Sequence, residues 1–311
     1  MNIKVGREAV AEASKTLSNW GRWGPDDQLG TLNLVRPEHI QAAAAEVRTG
    51  KTFHLSIPVG SNGPQSGMGG RINPVHLMSM QPRDWENPHG VAISDDWIIM
   101  PLQSGTQWDA LAHVAYDGMM YNGYSTDDVD TRSGARRLAI DAMTDRLVGR
   151  GVLLDVARLH DRPWLESGTP ITPDDLEQAE RLQGVTVQAG DFLLVRTGWR
   201  AKLLAEGSDG WMAGEPGLDL DCAHWLHGRS VAAVGSDNWA IEVMPSPIVG
   251  AMVPLHCILI RDMGMPLAEI LDLEGLAADC AADGRWSFMF VAPPLHITHA
   301  VGSPVSPIAI K

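Results

Sequence analysis

The chain has 311 residues, 44% of them hydrophobic and 20% charged, with a formal net charge of −14. That composition is globular, with enough apolar material for a large core. The acidic balance, without any Lys/Arg cluster, argues against a nucleic-acid backbone as partner, and no stretch approaches the roughly 20 apolar residues of a membrane span.

The first segment, "MNIKVGREAVAEASK", carries charges throughout and lacks the apolar core of a signal peptide. It reads as a short amphipathic helix, an N-terminal arm of a protein expected in the cytoplasm. "RPEHIQAAAAEVRTG" predicts a second helix, with Pro37 in its first turn and Gly50 as its C-cap. "KTFHLSIPV" (51–59) reads as a strand. The region 60–90, rich in Gly, Pro, Asn and Met, reads as a long loop of the kind that serves as a lid or substrate wall. "DWIIMPLQSGTQWDA" (96–110) reads as a strand. The apolar runs 151–159, 191–199 and 230–238 read as buried strands. Between them, Thr172, Pro173 and Gly184 mark the cap, first position and end of a helix. "DLDCAHWLHGRS" gives another helix, closed by Gly228. The C-terminal stretch reads as a strand followed by extended, Pro-punctuated chain.

No internal repeat or low-complexity linker divides the chain, so a single α/β domain over 1–311 is expected. Cys222, Cys257 and Cys280 are few, odd in number and widely spaced, which fits buried thiols better than a disulfide framework. The lack of a CxxC pair argues against a thiolate zinc knuckle. Most of the tryptophans, Trp85, Trp108, Trp199 and Trp239 among them, read as packing residues, and some would suit the wall of an aromatic pocket.

Within "LQSGTQWDALAHVAYDG" (102–118), Gln103, Gln107, Asp109 and His113 fall at short regular spacings. If 103–109 is a strand, Gln103, Gly105, Gln107 and Asp109 share one face and Trp108 takes the other. Gly105 would then remove a side chain where an ion approaches. A helical turn after Asp109 would bring His113 onto the same face. The alternation equally suits a half-exposed surface strand, and spacing alone leaves both readings open. Further on, His256 sits in an apolar run read as a strand, and Glu269 at the start of an apparent amphipathic helix. Each has an ordinary structural reading too: a hydrogen-bonded core histidine, and a glutamate complementing a helix dipole.

These residues resemble the cyclase-like metal hydrolase family, which includes kynurenine formamidase, isatin hydrolase and trans-dienelactone hydrolase. Its signature, His-x-Gly-Thr-His-x-Asp-x-x-x-His, falls on Gln103, Gly105, Thr106, Gln107, Asp109 and His113. Both early histidines are Gln here, a pattern similar to the trans-dienelactone hydrolase branch. "NWGRWGPDDQLGTLNLVRPEHI", "LLVRTGW", "GSDNW", "HCILIRDMGMPLAE" and "GSPVSPIAI" extend the resemblance over most of the chain. It implies a swivelling β/β/α fold, a mixed sheet flanked by helices, in a homodimer or homotetramer. It implies one or two divalent ions at Gln103, Gln107, Asp109, His256 and Glu269, with His113 as proton donor and acceptor. Carboxamide oxygen is a harder, weaker donor than imidazole nitrogen, which favours Mn²⁺ or Mg²⁺ while leaving Zn²⁺ open. Loss of metal should be easier than from an all-histidine site.

The implied chemistry is metal-assisted hydrolysis of a small lactone or cyclic amide, with a linear amide as alternative. Tyr121 and Asn122 would suit contact with a flat ring. No Gly-x-Ser-x-Gly elbow points to a serine hydrolase, and "GMGGRIN" lacks the context of a nucleotide loop. A non-hydrolytic cyclase, lyase or binding protein is the competing reading.

Overall fold

A computed structural model describes residues 6–84 and 88–311; Trp85 lies outside them. The apolar runs become the parallel centre of a mixed nine-stranded sheet. Its strands are β1 (Thr52–His54), β2 (Gln107–Asp109), β3 (Val148–Asp155), β4 (Phe192–Arg196), β5 (Ala233–Ser236), β6 (Leu267–Glu269), β7 (Ser287–Val291), β8 (Gly302–Pro304) and β9 (Ile308–Ile310). Their spatial order is β1-β9-β7-β3-β4-β5-β6-β2-β8. From β3 to β6 neighbours run parallel, and both flanks are antiparallel. Strands covered on both faces need continuous apolar sequence, and β4 and β5 are buried at every position. The α/β fold with a mixed sheet is therefore as the sequence predicts.

The helices are α1 (Arg7–Leu17), α2 (Pro37–Ala44), α3 (Val156–Leu159), α4 (Pro173–Gln183), α5 (Trp199–Glu206), α6 (Cys222–Arg229), α7 (Pro254–His256) and α8 (Glu274–Asp283). In α4 the Thr172 hydroxyl accepts the Asp175 N–H, the Asp175 carboxylate accepts the Thr172 N–H, and Gly184 closes the end at φ +64°. This reciprocal cap satisfies two donors that a helix start leaves open. None of the described helices is long and apolar enough to cross a membrane.

Several expected boundaries shift. Gly50 does not cap α2, which ends at Ala44. The next residues are held instead by Arg150 and Arg285, which donate to Glu46, and by the Lys311 carbonyl, which accepts the Thr49 and Gly50 N–H groups. Gly228 lies inside α6, whose end is turned by Ser230 in the left-handed region. The long loop contains a strand, Val75–Met80, that forms a separate hairpin with Asp95–Ile99. Residues 96–110 are thus not one strand; only Gln107–Asp109 joins the main sheet. On one face of the hairpin Val75, Leu77, Trp97 and Ile99 are all exposed.

One close approach fixes the N-terminal segment. Gly30 has φ +56°, and a Cβ there would lie 1.9 Å from the Gly264 carbonyl oxygen, which accepts the Thr31 N–H. Gly264 in turn faces the Tyr121 ring, 2.5 Å from where its own Cβ would be. Gly30→Ala should therefore destabilise the protein by roughly 2–5 kcal/mol through overpacking and left-handed strain. Gly50→Ala, at φ +74° with open space around it, should cost only about 1 kcal/mol. Urea unfolding of the two variants measures the difference; equal midpoints would contradict the interlock.

Candidate metal centre and active site

Strand β2 carries the chemistry on one face. Trp108 points the other way, its indole N–H donating to the Ala292 carbonyl and its ring meeting Phe290 edge-on at 6.5 Å. Gln107 and Asp109 therefore share the opposite face. Pairing with β6 sets Gln107 across from Glu269, and the Gln107 Nε2 donates to Glu269 Oε2 at 2.7 Å. Glu269 is thus the last residue of a strand and not the start of a helix; α8 begins at Glu274. Gln107, Asp109 and Glu269 are all buried.

His256 is not on a strand either. It ends α7, opened by Pro254 at the first position, and the chain continues as one π-helical stretch, Cys257–Asp262. Its Nε2 lies 3.1 Å from Glu269 Oε1, and its Nδ1 lies 2.6 Å from Glu242 Oε1. Glu242 also accepts the backbone N–H groups of Leu255 and His256. Three donors converging on one carboxylate fix the ring, with Nδ1–H toward Glu242 and Nε2 toward Glu269. Burial alone would lower the His256 pKa, but the two carboxylates raise it to about 10. Glu269 is pushed up by burial and by the neighbouring Asp109.

The backbone around this cluster is unusual. Ile241, Val253 and Ile270 have φ of 60°, 43° and 55°. β-branched residues at positive φ are rare, and each costs on the order of 1–3 kcal/mol. All three lie beside the cluster: next to Glu242, next to the start of α7, and next to Glu269.

His113 follows Asp109 in a turn rather than a helix, its N–H donating to the Ala110 carbonyl. Its Nε2 still reaches 3.7 Å from Asp109 Oδ2, with a fifth of the side chain exposed. Burial holds its pKa below the ordinary value; Asp109 opposes this, while His256 and Arg71 add to it.

Asp109, His256 and Glu269 offer donor atoms all within 4.8 Å of one another. Asp109 Oδ2 and Gln107 Oε1 are buried without a hydrogen-bond partner. Buried acceptors left open in this way are costly, and two carboxylates, an imidazole and a carboxamide oxygen make an ordinary donor set for a divalent ion. These residues fit a metal. Turning the Gln107 amide over would set its oxygen against the Glu269 carboxylate, an arrangement that is favourable only with a cation between them.

Gln103 lies outside β2, in the preceding turn, so strand alternation does not place it. Its Nε2 is buried without a partner and rests against Gly302, where a Cβ would lie 2.5 Å away. Gly302 pairs with Asp109 across β8. The glycine that clears space beside the cluster is therefore Gly302; a Cβ on Gly105 would make only an ordinary contact with Ile57 at 3.9 Å. Tyr121 and Asn122 are engaged elsewhere. The Tyr121 hydroxyl donates to Asp27, and Asn122 bonds the backbone of Gly21, Gly24, Pro25 and Asp27, fastening the N-terminal segment. Glu242 and Glu215 were not singled out by the sequence reading. Glu215 accepts the N–H groups of Trp239 and Ala240, and burial, with Glu269 nearby, raises its pKa well above the usual range.

The fold recurs in known proteins. The family model Cyclase matches residues 53–243. A solved structure described as a novel cyclase is 40% identical, covers 95% of this chain and 100% of its own, and superposes with a TM-score of 0.89. Isatin hydrolase A from Labrenzia aggregata, bound to benzyl benzoate, shares the fold at 20% identity over 86% of this chain and 94% of its own, with a TM-score of 0.61. So does a protein described as a predicted metal-dependent hydrolase from Bacillus stearothermophilus, at 20% identity over 84% of this chain and 98% of its own, with a TM-score of 0.54. No curated protein sequence matches the chain.

Glu242→Ala should release the His256 ring and weaken Mn²⁺ binding by about 10–100-fold, the usual effect of removing such a support. Calorimetric titration of chelated protein measures this. Affinity equal to that of the wild type would show that Nε2 is presented without Glu242.

Proposed function

The chain belongs to the cyclase family, and from that premise we propose that it is a metal-dependent hydrolase that opens a small lactone or cyclic amide. The observation that carries the reading is the buried convergence of Asp109, His256 and Glu269 beside His113. In this reading Asp109, His256 and Glu269 hold one or two divalent ions, Mn²⁺ or Zn²⁺, with Gln103 and Gln107 as neutral donors. A bound divalent ion polarises the scissile carbonyl and lowers the pKa of its water.

The residues of the chain supply the rest. His113, held neutral by burial, takes a proton from the attacking water at Nε2 and returns it to the leaving oxygen or nitrogen. Asp109 stabilises the imidazolium that forms in between. Glu242 keeps His256 oriented, and burial of Gln107 and Glu269 keeps bulk water from the donor atoms. Tyr121 and Asn122 serve this reading by holding the N-terminal segment. Linear amides are the next substrate class.

His113→Ala should lower kcat by about 10²–10⁴-fold on whichever lactone or amide the wild type turns over. Chelation should abolish turnover, and Mn²⁺ or Zn²⁺ should restore it. A His113→Ala variant as fast as the wild type would remove His113 from the chemistry; stoichiometric metal with no turnover of any lactone or amide would favour the non-hydrolytic reading.

A homo-oligomer belongs to the same proposal. An isolated two-stranded hairpin is marginal in water, and the exposed face of Val75, Leu77, Trp97 and Ile99 suits burial against a second copy. Light scattering should give a dimer or larger for the wild type and a smaller species for Leu77→Glu. A wild-type monomer would exclude it.

A further inference from the structure

The arginines withdrawn from solvent are paired with acids, with one exception. Among the described residues, Arg150, Arg196, Arg200, Arg229, Arg261 and Arg285 each lie 3.6 Å or less from a carboxylate oxygen. Arg71 is likewise only partly exposed, yet no described carboxylate forms an ion pair with it. Its guanidinium carbon instead sits 5.2 Å from the centre of the Trp239 ring. Such a contact orients the guanidinium plane and leaves its N–H fork free.

Both residues lie on segments tied to the cluster. Trp239 follows Asn238, whose carbonyl accepts the N–H of Ile270, the residue after Glu269. Glu215 accepts the Trp239 N–H from below, and the Trp239 indole N–H is buried without an acceptor. Arg71 closes a turn in which its carbonyl accepts the Gly67 N–H. The same loop is tied to the signature stretch through Gln65, whose Nε2 donates to the Ser104 carbonyl. The charge of Arg71 acts on both His113 and Glu269.

We propose that Arg71, braced on Trp239, recognises a carboxylate on the substrate, so that the bond broken here belongs to an anionic lactone or amide. This rests on the hydrolase reading above. Arg71 is placed for such a role: a metal held by Asp109, His256 and Glu269 would put its charge at the reacting carbonyl, and Arg71, on the loop tied to the signature stretch through Gln65, offers a second, separate cation for a carboxylate elsewhere on the substrate. A planar guanidinium binds a carboxylate through two parallel hydrogen bonds, which fixes orientation as well as charge. An arginine partly desolvated without a counterion is itself destabilised, and the substrate carboxylate supplies the missing partner. The unpaired indole N–H of Trp239 offers a further donor beside it.

The test uses the metal-loaded enzyme and two lactones that differ only by a carboxylate, dihydrocoumarin and a carboxy-substituted dihydrocoumarin. The wild type should prefer the anionic one. Arg71→Met should lower kcat/KM for it by about 10–100-fold, mainly through KM, as expected for a lost charged hydrogen bond. Arg71→Lys should recover part of the loss, and dihydrocoumarin should lose at least tenfold less than the anionic lactone, the smaller common loss being the effect of the Arg71 charge on His113 and Glu269. Equal losses on both lactones, or no preference in the wild type, would overturn the proposal and leave Arg71 acting only on Glu269 and His113. Benzoate binding by calorimetry gives a readout independent of turnover. Binding to the wild type that weakens at least tenfold in Arg71→Met supports recognition even if neither lactone is hydrolysed, in which case only the hydrolase reading fails. Benzoate that binds both proteins alike, or neither, counts against Arg71.

Discussion

Everything around the site follows from placing two carboxylates, Asp109 and Glu269, on adjacent strands, facing the same side and out of contact with water. Like charges so arranged repel, and burial removes the solvent that would screen them. The fold answers with donors of fixed geometry. Gln107 gives an N–H to Glu269, and the His256 ring spans Glu269 and Glu242. For His256 to arrive there, α7 must begin abruptly after Val253, and β6 must stop abruptly at Ile270. Those turns are made at positive φ by β-branched residues, a strain that persists only where the surroundings enforce it. The surroundings do: Leu255, Ile258, Leu267 and Leu271 are all fully or almost fully buried.

The N-terminal segment belongs to this support and is not an appended arm. Asn19 donates to the Met263 carbonyl, its N–H to that of Asp262, and the Trp20 indole to that of Arg261. Tyr116 bonds the Asp262 carboxylate. The π-helical stretch leading out of His256 is thereby clamped at its far end, while Glu242 clamps the near end. A π-helical stretch has a wider, less regular ladder than an α-helix, so both clamps matter for where the ring of His256 points. Tyr121 and Asn122 act in the same network by securing residues 21–27.

What the sequence made legible was what local physics decides. Three of the parallel strands announced themselves as apolar runs, α4 by Thr172, Pro173 and Gly184, and the shared face of Gln107 and Asp109 by period-two spacing. The misses have equally local causes. The strand Leu267–Glu269 is three residues long, too short for any alternation, and the apolar positions after it imitate a helix that starts only at Glu274. His256 looked like a strand residue because its neighbours are apolar on every side, although Pro254 marked the start of a helix. Glu242 lies in "WAIEVMP", a lone acid within an apolar run. Such an acid must find donors when buried, and that signal was available. That no described carboxylate pairs with Arg71 was beyond reach, because it depends on where the other partly buried arginines find their acids.

The two glutamines take on a different meaning once these contacts are counted. The resemblance puts histidine at positions 103 and 107, where a neutral ring facing a metal offers one lone pair there and turns its N–H away. Glutamine offers both a donor and an acceptor from one terminal group. At 107 the donor neutralises part of the repulsion between Glu269 and Asp109, and the acceptor is left open on the same side. In the proposed metal site the carboxamide would satisfy Glu269 better than an imidazole when no ion is bound, and its oxygen would be the weaker donor. Both effects would lower metal affinity, and neither changes the charge of the site. Since the glutamines add no charge, a substrate carboxylate in the reading proposed above needs a cation from outside the metal cluster, and Arg71 is the partly buried one that no described carboxylate has claimed.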